Sequence, residues 1–365
     1  MRSSGLVSTT RGRVGLAAAL VAVIVVAMVG GYAFRRGDRA GSPGGTPEAT
    51  PAGTAPQADG AVSMDGRAPL TGLPTDQPLD RPAVTVKVSN SPDAHPHRGL
   101  ADADIVVVEP ITGATTRLAA IFHSWLPEQV GPVRSLRPMD APLIGPTGGV
   151  IANTMADRWV QQYVDEVADL ANLGTLRVPR AYRIDSSRRA PNHVFAQPAR
   201  LLELTDRAAP PEPYFSYAAD AGRSTAQRSG RAAESVTVGY GGTATTTWRY
   251  DHGSGRWLRL EKWSAHRLED GRQISAQNVI VLRAQRDTSF TQAKASMTIL
   301  DFIDAAGWLQ LFTGDKVISG RWSKGGVNEP FTFTTTDGRP LLLAPGTTWV
   351  ECALTGMSVR VGPQT

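Results

Sequence analysis

The sequence predicts an α+β fold: a mixed or antiparallel sheet with a few helices in an amino-terminal region, then a mostly β carboxy-terminal region. Three observations carry this expectation. Four apolar segments of strand length recur between residues 83 and 153, and an amphipathic stretch at helical spacing follows them. From residue 235 onward, short alternating segments are separated by glycine-bearing turns. The chain has 365 residues, 41% hydrophobic and 19% charged, enough for one or two domains with real cores.

Residues 14–34, VGLAAALVAVIVVAMVGGYAF, carry no charge. A helix needs roughly 20 residues to cross a bilayer. Arg11 and Arg13 precede the run, and Arg35, Arg36 and Arg39 follow it, so local charge does not orient it. A cleaved signal peptide is the rival reading, but its apolar core is shorter and ends at a small-residue site. Here the run passes Gly30, Gly31 and Ala33 and stops at arginine. Residues 1–36 are expected to form a cytoplasmic head and a transmembrane signal anchor. Residues 37–68 are rich in Pro, Gly, Ala, Thr and Ser, and cannot bury enough apolar surface to offset ordering, so they predict a disordered spacer. A head, one span, a spacer and a large folded part predict a single-pass membrane protein whose folded part is extracytoplasmic.

The net charge of +5 is modest and scattered, with no zinc-finger spacing or basic helix, so no nucleic-acid partner is expected. Cys352 is the only cysteine, which excludes an internal disulfide.

Residues 69–207 predict an α+β domain. Residues 83–89, AVTVKVS, alternate apolar and polar, as a half-buried strand does. Residues 90–98 form a loop by composition. Residues 104–109, DIVVVE, predict a buried strand with charged ends, and 115–124 and 149–153 two more strands. Over residues 157–170 the period changes: Val160, Tyr163, Val164 and Val167 predict a helix that Asn172 or Gly174 would close. A short helix is expected from Pro198 to about Arg207.

Within this region, residues 131–138, GPVRSLRP, set Arg134, Ser135 and Arg137 between prolines that stiffen the backbone on both sides. Guanidinium groups held by a stiff loop suit planar anions, each offering five donors in a fork that matches carboxylate or phosphate. A second polar stretch, residues 182–195, holds Arg188, Arg189, Asn192 and His193. With Arg117 these give the candidate ligand-binding set Arg117, Arg134, Ser135, Arg137, Arg188 and Arg189. Asp104, Glu109, Asp140, Asn192 and His193 are the candidate polar partners. The alternative for each arginine is a surface cation paired with a nearby carboxylate.

Residues 208–234 predict a linker, and 235–365 a β-rich domain. Two segments, 245–250 and 256–261, flank a turn at 251–255, and further strands are expected at 278–282, 308–312, 317–322, 331–335, 340–343 and 348–353. Trp248, Trp257, Trp263, Trp308, Trp322 and Trp349 lie in or near them, as core packing or as a platform for a sugar ring.

No catalytic set stands out, and no cofactor is expected. His95, His97, Asp102 and Asp104 are ligand types at short range, but Pro96 intervenes and no His-x-x-x-His helix supports a metal, so none is assigned. There is no G-x-S-x-G elbow, P-loop or dinucleotide fingerprint. Three functions remain open: a binding protein for an anionic envelope ligand, a hydrolase or transferase acting on an anionic cell-wall or lipid-linked substrate, and an interaction scaffold whose arginines are structural.

The motifs PLTGLP at 69–74, RPAVTVKVSNSPDAHPHRGLADADIVVVE at 81–109, TRLAAIFHS at 116–124, GPVRSLRP at 131–138 and RRAPNH at 188–193 occur in an order that resembles the YerB-like lipoprotein family of unknown function. WRYD at 248–251, NVIV at 278–281, GRWSK at 320–324 and DGRPLLLAPGTTWV at 337–350 resemble its carboxy-terminal part. The resemblance implies a two-part α+β protein on the outer face of a bacterial membrane, and no established reaction. Many members carry a lipid-modified cysteine where this chain has an apolar run. The family pattern Pro-His-Asn is here Pro191-Asn192-His193.

Overall fold

The valine-rich segments of the first half become the middle of one broad sheet, and the second half completes it. The structure, a computed structural model, describes residues 60–363 except 243 and 263. The apolar run at 14–34 and residues 37–59 of the expected spacer lie outside the described residues, as does Trp263. Residues 60–68, expected as disordered spacer, instead pack on the fold, with Val62 against the core and Ala68 buried. No helix among the described residues is long and apolar enough to cross a membrane.

In chain order the strands are β1 (Val84–Ser89), β2 (Ile105–Ile111), β3 (Thr115–Phe122), β4 (Val150–Ala152), β5 (Ala171–Asn172), β6 (Tyr182–Ile184), β7 (Val194–Ala196), β8 (Arg231–Ala232), β9 (Ser235–Gly241) and β10 (Ala244–Asp251). They continue as β11 (Arg256–Glu261), β12 (Ser264–Ala265), β13 (Ser275–Ala276), β14 (Asn278–Ala284), β15 (Ala305–Thr313), β16 (Lys316–Lys324), β17 (Thr332–Thr335), β18 (Thr348–Leu354) and β19 (Val359–Gly362). The α-helices are α1 (Asp140–Ile144), α2 (Arg158–Val167), α3 (Pro198–Leu202) and α4 (Thr225–Ser229).

Among the described residues, the main sheet has 11 strands in the order β17-β16-β15-β14-β18-β2-β3-β1-β4-β5, with β8 against β16. It is mixed: β18 lies parallel to both β14 and β2, while β2, β3 and β1 run antiparallel to their neighbours in turn. A late strand therefore sits beside an early one, and both halves of the chain share this sheet. A second sheet, β12-β11-β10-β9-β19 with β13 on β11, covers one face.

Side chains alternate across a strand, so each strand of the main sheet feeds two cores. Val84, Val86 and Val88 join Val106, Val108, Leu118, Trp248 and Trp257 under the second sheet. Ile105, Val107, Ala119 and Ile121 pack on the other face with Leu136, Leu143 and Ile144, and with Val160 and Val164 of α2. With both faces covered, β1 is buried at all six positions rather than half-buried. Lys87 alternates as expected, yet it points into a core instead of solvent.

Other departures are local. The fold is mostly β, and its helices are not specific to the first half: α4 lies in the tract expected as linker and buries Ala226, while the adjoining β8 pairs with β16. α2 stops at Val167 because Ala168 turns extended, well before Asn172, which enters β5. α3 is a single turn and ends at Leu202. The segment at 340–343 makes isolated bridges, Thr334 with Pro340 and Tyr217 with Leu343, rather than a strand. Trp248, Trp257, Trp322 and Trp349 are buried, as packing residues are, whereas Trp308 is 48% exposed under the Arg321 guanidinium.

Candidate anion-binding site

The register of three adjacent strands sets the site. Ser89 of β1 and Glu109 of β2 both stand opposite Arg117 of β3, and Lys87 is opposite Ala119. Residues opposite each other, and those two positions along, share a face, so Lys87, Glu109 and Arg117 project from the face that α1 covers. α1 supplies Asp140. Lys87, Glu109 and Asp140 are fully buried. Lys87 Nζ donates to Glu109 Oε1 at 2.6 Å and also to Asp140 Oδ1.

The loop at 131–138 holds two arginines over this core. The Arg134 amide donates to the Lys87 carbonyl at 2.8 Å, and the Arg134 carbonyl accepts from the Thr154 amide at 3.1 Å. Leu136 is buried and anchors the loop. The Arg137 amide donates to Asp140 Oδ2 at 2.6 Å, and Arg137 Nη1 donates to the Leu136 carbonyl at 2.7 Å. The backbone is thus fixed on both sides of Ser135, which is half-buried and makes no side-chain hydrogen bond among the described residues.

Arg117 is only 5% exposed, and its Nε and Nη1 have no partner. Arg134 Nε and Glu109 Oε2 are likewise buried and unpartnered. Among the described residues, none of Arg117, Arg134 and Arg137 forms a side-chain ion pair with a carboxylate. Burial, then the charges of Arg137 and Arg134, push Arg117 down to about 9, so it still carries its charge at pH 7. Burial and Arg137 also lower Arg134. Burial and then Asp140 push the Glu109 carboxyl up to about 8, against the opposing pull of Lys87.

The other residues singled out in the sequence fall elsewhere. Arg188 donates to the carbonyls of Ala94 (3.2 Å) and Pro96 (2.6 Å) and lies 5.3 Å from the Phe195 ring, so its bonds hold a loop. Arg189 is exposed. Asn192 and His193 bury Oδ1 and Nδ1 without partners. The chain pairing of Val130 with Ala196 and of Val133 with Val194 carries His193 towards Arg134. Asp104 accepts from the amides of His123 (2.6 Å) and Ser124 (2.9 Å), and so secures the end of β3.

Three histidines, His95, His97 and His266, bring ring nitrogens within 4.8 Å of one another. Their hydrogen bonds assign the tautomers. Arg259 Nη1, a donor only, donates to His266 Nδ1 at 2.8 Å. His266 Nε2 must then carry its proton and donate to His97 Nδ1 at 2.8 Å, and His97 Nε2 donates to the Ser89 carbonyl at 2.6 Å. Burial holds both rings well below their ordinary pKa, hence neutral. In this arrangement neither ring has a free lone pair for a metal, and Asp102 pairs with Arg272 instead. Arg259 continues to Glu261 and Glu351, and Glu351 accepts from Trp248 Nε1 at 2.8 Å and from Tyr240. The relay ties the two sheets together.

Two surface clefts of about 250 and 340 Å3 lie around Arg98, Gly99 and Asp270, and neither includes Arg117, Arg134 or Arg137. Sequence reasoning missed Lys87, His266 and Arg259. Lys87 had one signal, a lysine inside an otherwise apolar strand; His266 and Arg259 are distant in sequence and carry none.

Residues 70–211 match the profile of the "Protein of unknown function (DUF3048) N-terminal domain", and residues 236–350 match that of the corresponding C-terminal domain. A 72-residue stretch is 53% identical to "Putative lipoprotein YerB" of Bacillus subtilis (strain 168); it covers 20% of this chain and 22% of that protein. The crystal structure of the YerB protein from Bacillus subtilis has the same fold, with a TM-score of 0.69 over 80% of this chain and 99% of that one, at 23% identity.

Proposed function

The chain belongs to the DUF3048 family of proteins of unknown function, and from its arginine site we propose that it binds an anionic ligand of the bacterial cell envelope. One observation carries this reading: Arg117 is buried with two donors unmet, and its charged neighbours Arg134 and Arg137 lack carboxylate partners too. A buried donor left unsatisfied costs about 1–3 kcal/mol, more when charged. Structural arginines in this fold look different: Arg188 donates to carbonyls, and Arg259, although its Nε also lacks a hydrogen bond, is ion-paired with Glu261 and Glu351. An anion that accepts from the three guanidiniums would meet the unmet donors.

The name of the Bacillus relative supports a place in the envelope. In this chain residues 14–34 would serve as the membrane anchor, with residues 60–363 outside the cell. Because Cys352 is buried, a cysteine placed in the 37–59 spacer would be the reporter for a membrane-impermeant thiol reagent on intact cells. Labelling only after lysis would refute that topology.

The ligand site is tested by Arg134→Lys in the full chain. The substitution keeps the charge and loses the fork. Pyrophosphate affinity should fall by tenfold or more, for a loss on the order of 1.5–3 kcal/mol, with little change in thermal stability. Unchanged affinity together with a large drop in stability would mean that the arginines are structural.

A further inference from the structure

We propose that Glu109 is the proton-donating member of the arginine site, and that the ligand presents a tetrahedral oxyanion of the phosphoryl type. This deepens the anion-binding reading and rests on it.

The geometry comes first. Glu109 and Arg117 stand directly opposite each other on β2 and β3. They do not form an ion pair, although Glu109 Oε2 and Arg117 Nε and Nη1 are all buried and without partners. A ligand oxygen bound here accepts from Arg117. For Glu109 to engage the same anion it must donate, and a carboxyl donates only when protonated. An ionised Glu109 would repel the ligand.

The groups around Glu109 come from several elements. Lys87 from β1 is committed to Glu109 Oε1 and Asp140 Oδ1. Asp140 from α1 spends its other oxygen on the Arg137 amide. Cys352 from β18 is a buried thiol that burial keeps neutral. Arg117 from β3, with Arg134 and Arg137 from the loop, completes the set. Oε2 makes no hydrogen bond in the structure, and burial together with the neighbouring Asp140 carboxylate favours keeping a proton on Glu109 at neutral pH.

Ligand shape follows from the count. Four cations, Lys87, Arg117, Arg134 and Arg137, face two carboxylates, of which a protonated Glu109 is no longer charged. A planar carboxylate offers two oxygens and is filled by one guanidinium fork. A phosphoryl end offers three terminal oxygens, one for each arginine. No covalent step is involved; when Glu109 starts ionised, binding takes up one proton from solvent.

The probe is sulfate, a tetrahedral dianion that does not itself titrate near neutrality. Calorimetric titration of the full chain in detergent should show affinity falling about fourfold between about pH 6.5 and pH 8.5, as a carboxyl near 8 ionises. At the higher pH the heat should vary with the ionisation enthalpy of the buffer, and the loss of that dependence in Glu109→Gln assigns the proton uptake to Glu109 rather than to Arg117, which is itself lowered to about 9. Glu109→Gln keeps a donor at that position and should bind with a nearly flat profile. A flat wild-type profile, in a chain whose sulfate binding is still weakened by Arg134→Lys, overturns the role of Glu109 and leaves the arginine site standing. Acetate binding as tightly as sulfate overturns the oxyanion class. No sulfate binding at any pH overturns the arginine site itself. Soluble phenyl phosphate and vesicles containing phosphatidate then separate a free phosphoryl group from a lipid headgroup, and binding to either supports the class.

Discussion

Replacing Lys87 by methionine removes the one cation inside a fully buried trio and keeps the volume. The two bonds lost run to Glu109 Oε1 and Asp140 Oδ1. Breaking a buried pair typically costs 3–5 kcal/mol because a charge is left uncompensated. Here Glu109 can relieve itself by keeping a proton it already holds to about 8, and Asp140 retains the Arg137 amide. One carboxylate rather than two is stranded, which puts Lys87→Met at the lower end, about 3 kcal/mol. For a folded part of about 300 residues that is a fall of roughly 5 °C in Tm at pH 7. Adding Glu109→Gln and Asp140→Asn should restore most of the loss, because a neutral trio strands no charge. Chemical denaturation and calorimetry provide the measurement. A cost below about 1 kcal/mol would refute the buried-trio account, since a lysine that reaches solvent loses little when removed.

Three further outcomes follow from the same physics. The buried histidines have folded pKa values below 6.5, so their contribution to stability is present above that pH and lost below it, whereas Glu109, raised from 4.5 to about 8, loses its contribution as the pH climbs through 8. Tm should therefore decline between about pH 6.5 and 8.5, and Glu109→Gln should flatten that decline; an unchanged slope would contradict it. Arg259→Met should cost about 3–5 kcal/mol in denaturant melts, because it strands buried Glu351 and leaves His266 Nδ1 without its donor; a loss near zero would show the relay to be dispensable. Residues 69–207 expressed alone should fail to melt cooperatively, because β18 is missing from the edge of β2; a sharp calorimetric transition would show the opposite.

Much of the central sheet was legible because β1, β2 and β3 are apolar, of strand length and bounded by polar loops. Their full burial was not, because the second covering layer, β9 to β13 with β19, comes from distant sequence. That is why Lys87 in an alternating strand looked solvent-facing and is instead the centre of the charge cluster. Arg117, Arg134 and Arg137 were visible as types in stiff or strand-end positions, and the fold brings them together through the register of β1 with β3 and the seating of the loop on the Lys87 carbonyl. Arg188 looked the same by composition, but its donors go to the carbonyls of Ala94 and Pro96, which no local pattern encodes. The relay through His97, His266 and Arg259 joins positions up to 169 residues apart and was out of reach of any spacing rule.

The most direct test of the anion site is anomalous diffraction from crystals of the protein grown with selenate. A selenium peak is expected there, with the selenate oxygens within hydrogen-bond reach of Arg117 Nε and of the Arg134 and Arg137 guanidiniums, and lost in Arg134→Lys. Crystals that show no peak there, with the three guanidiniums turned onto carboxylates of the protein itself, would contradict it.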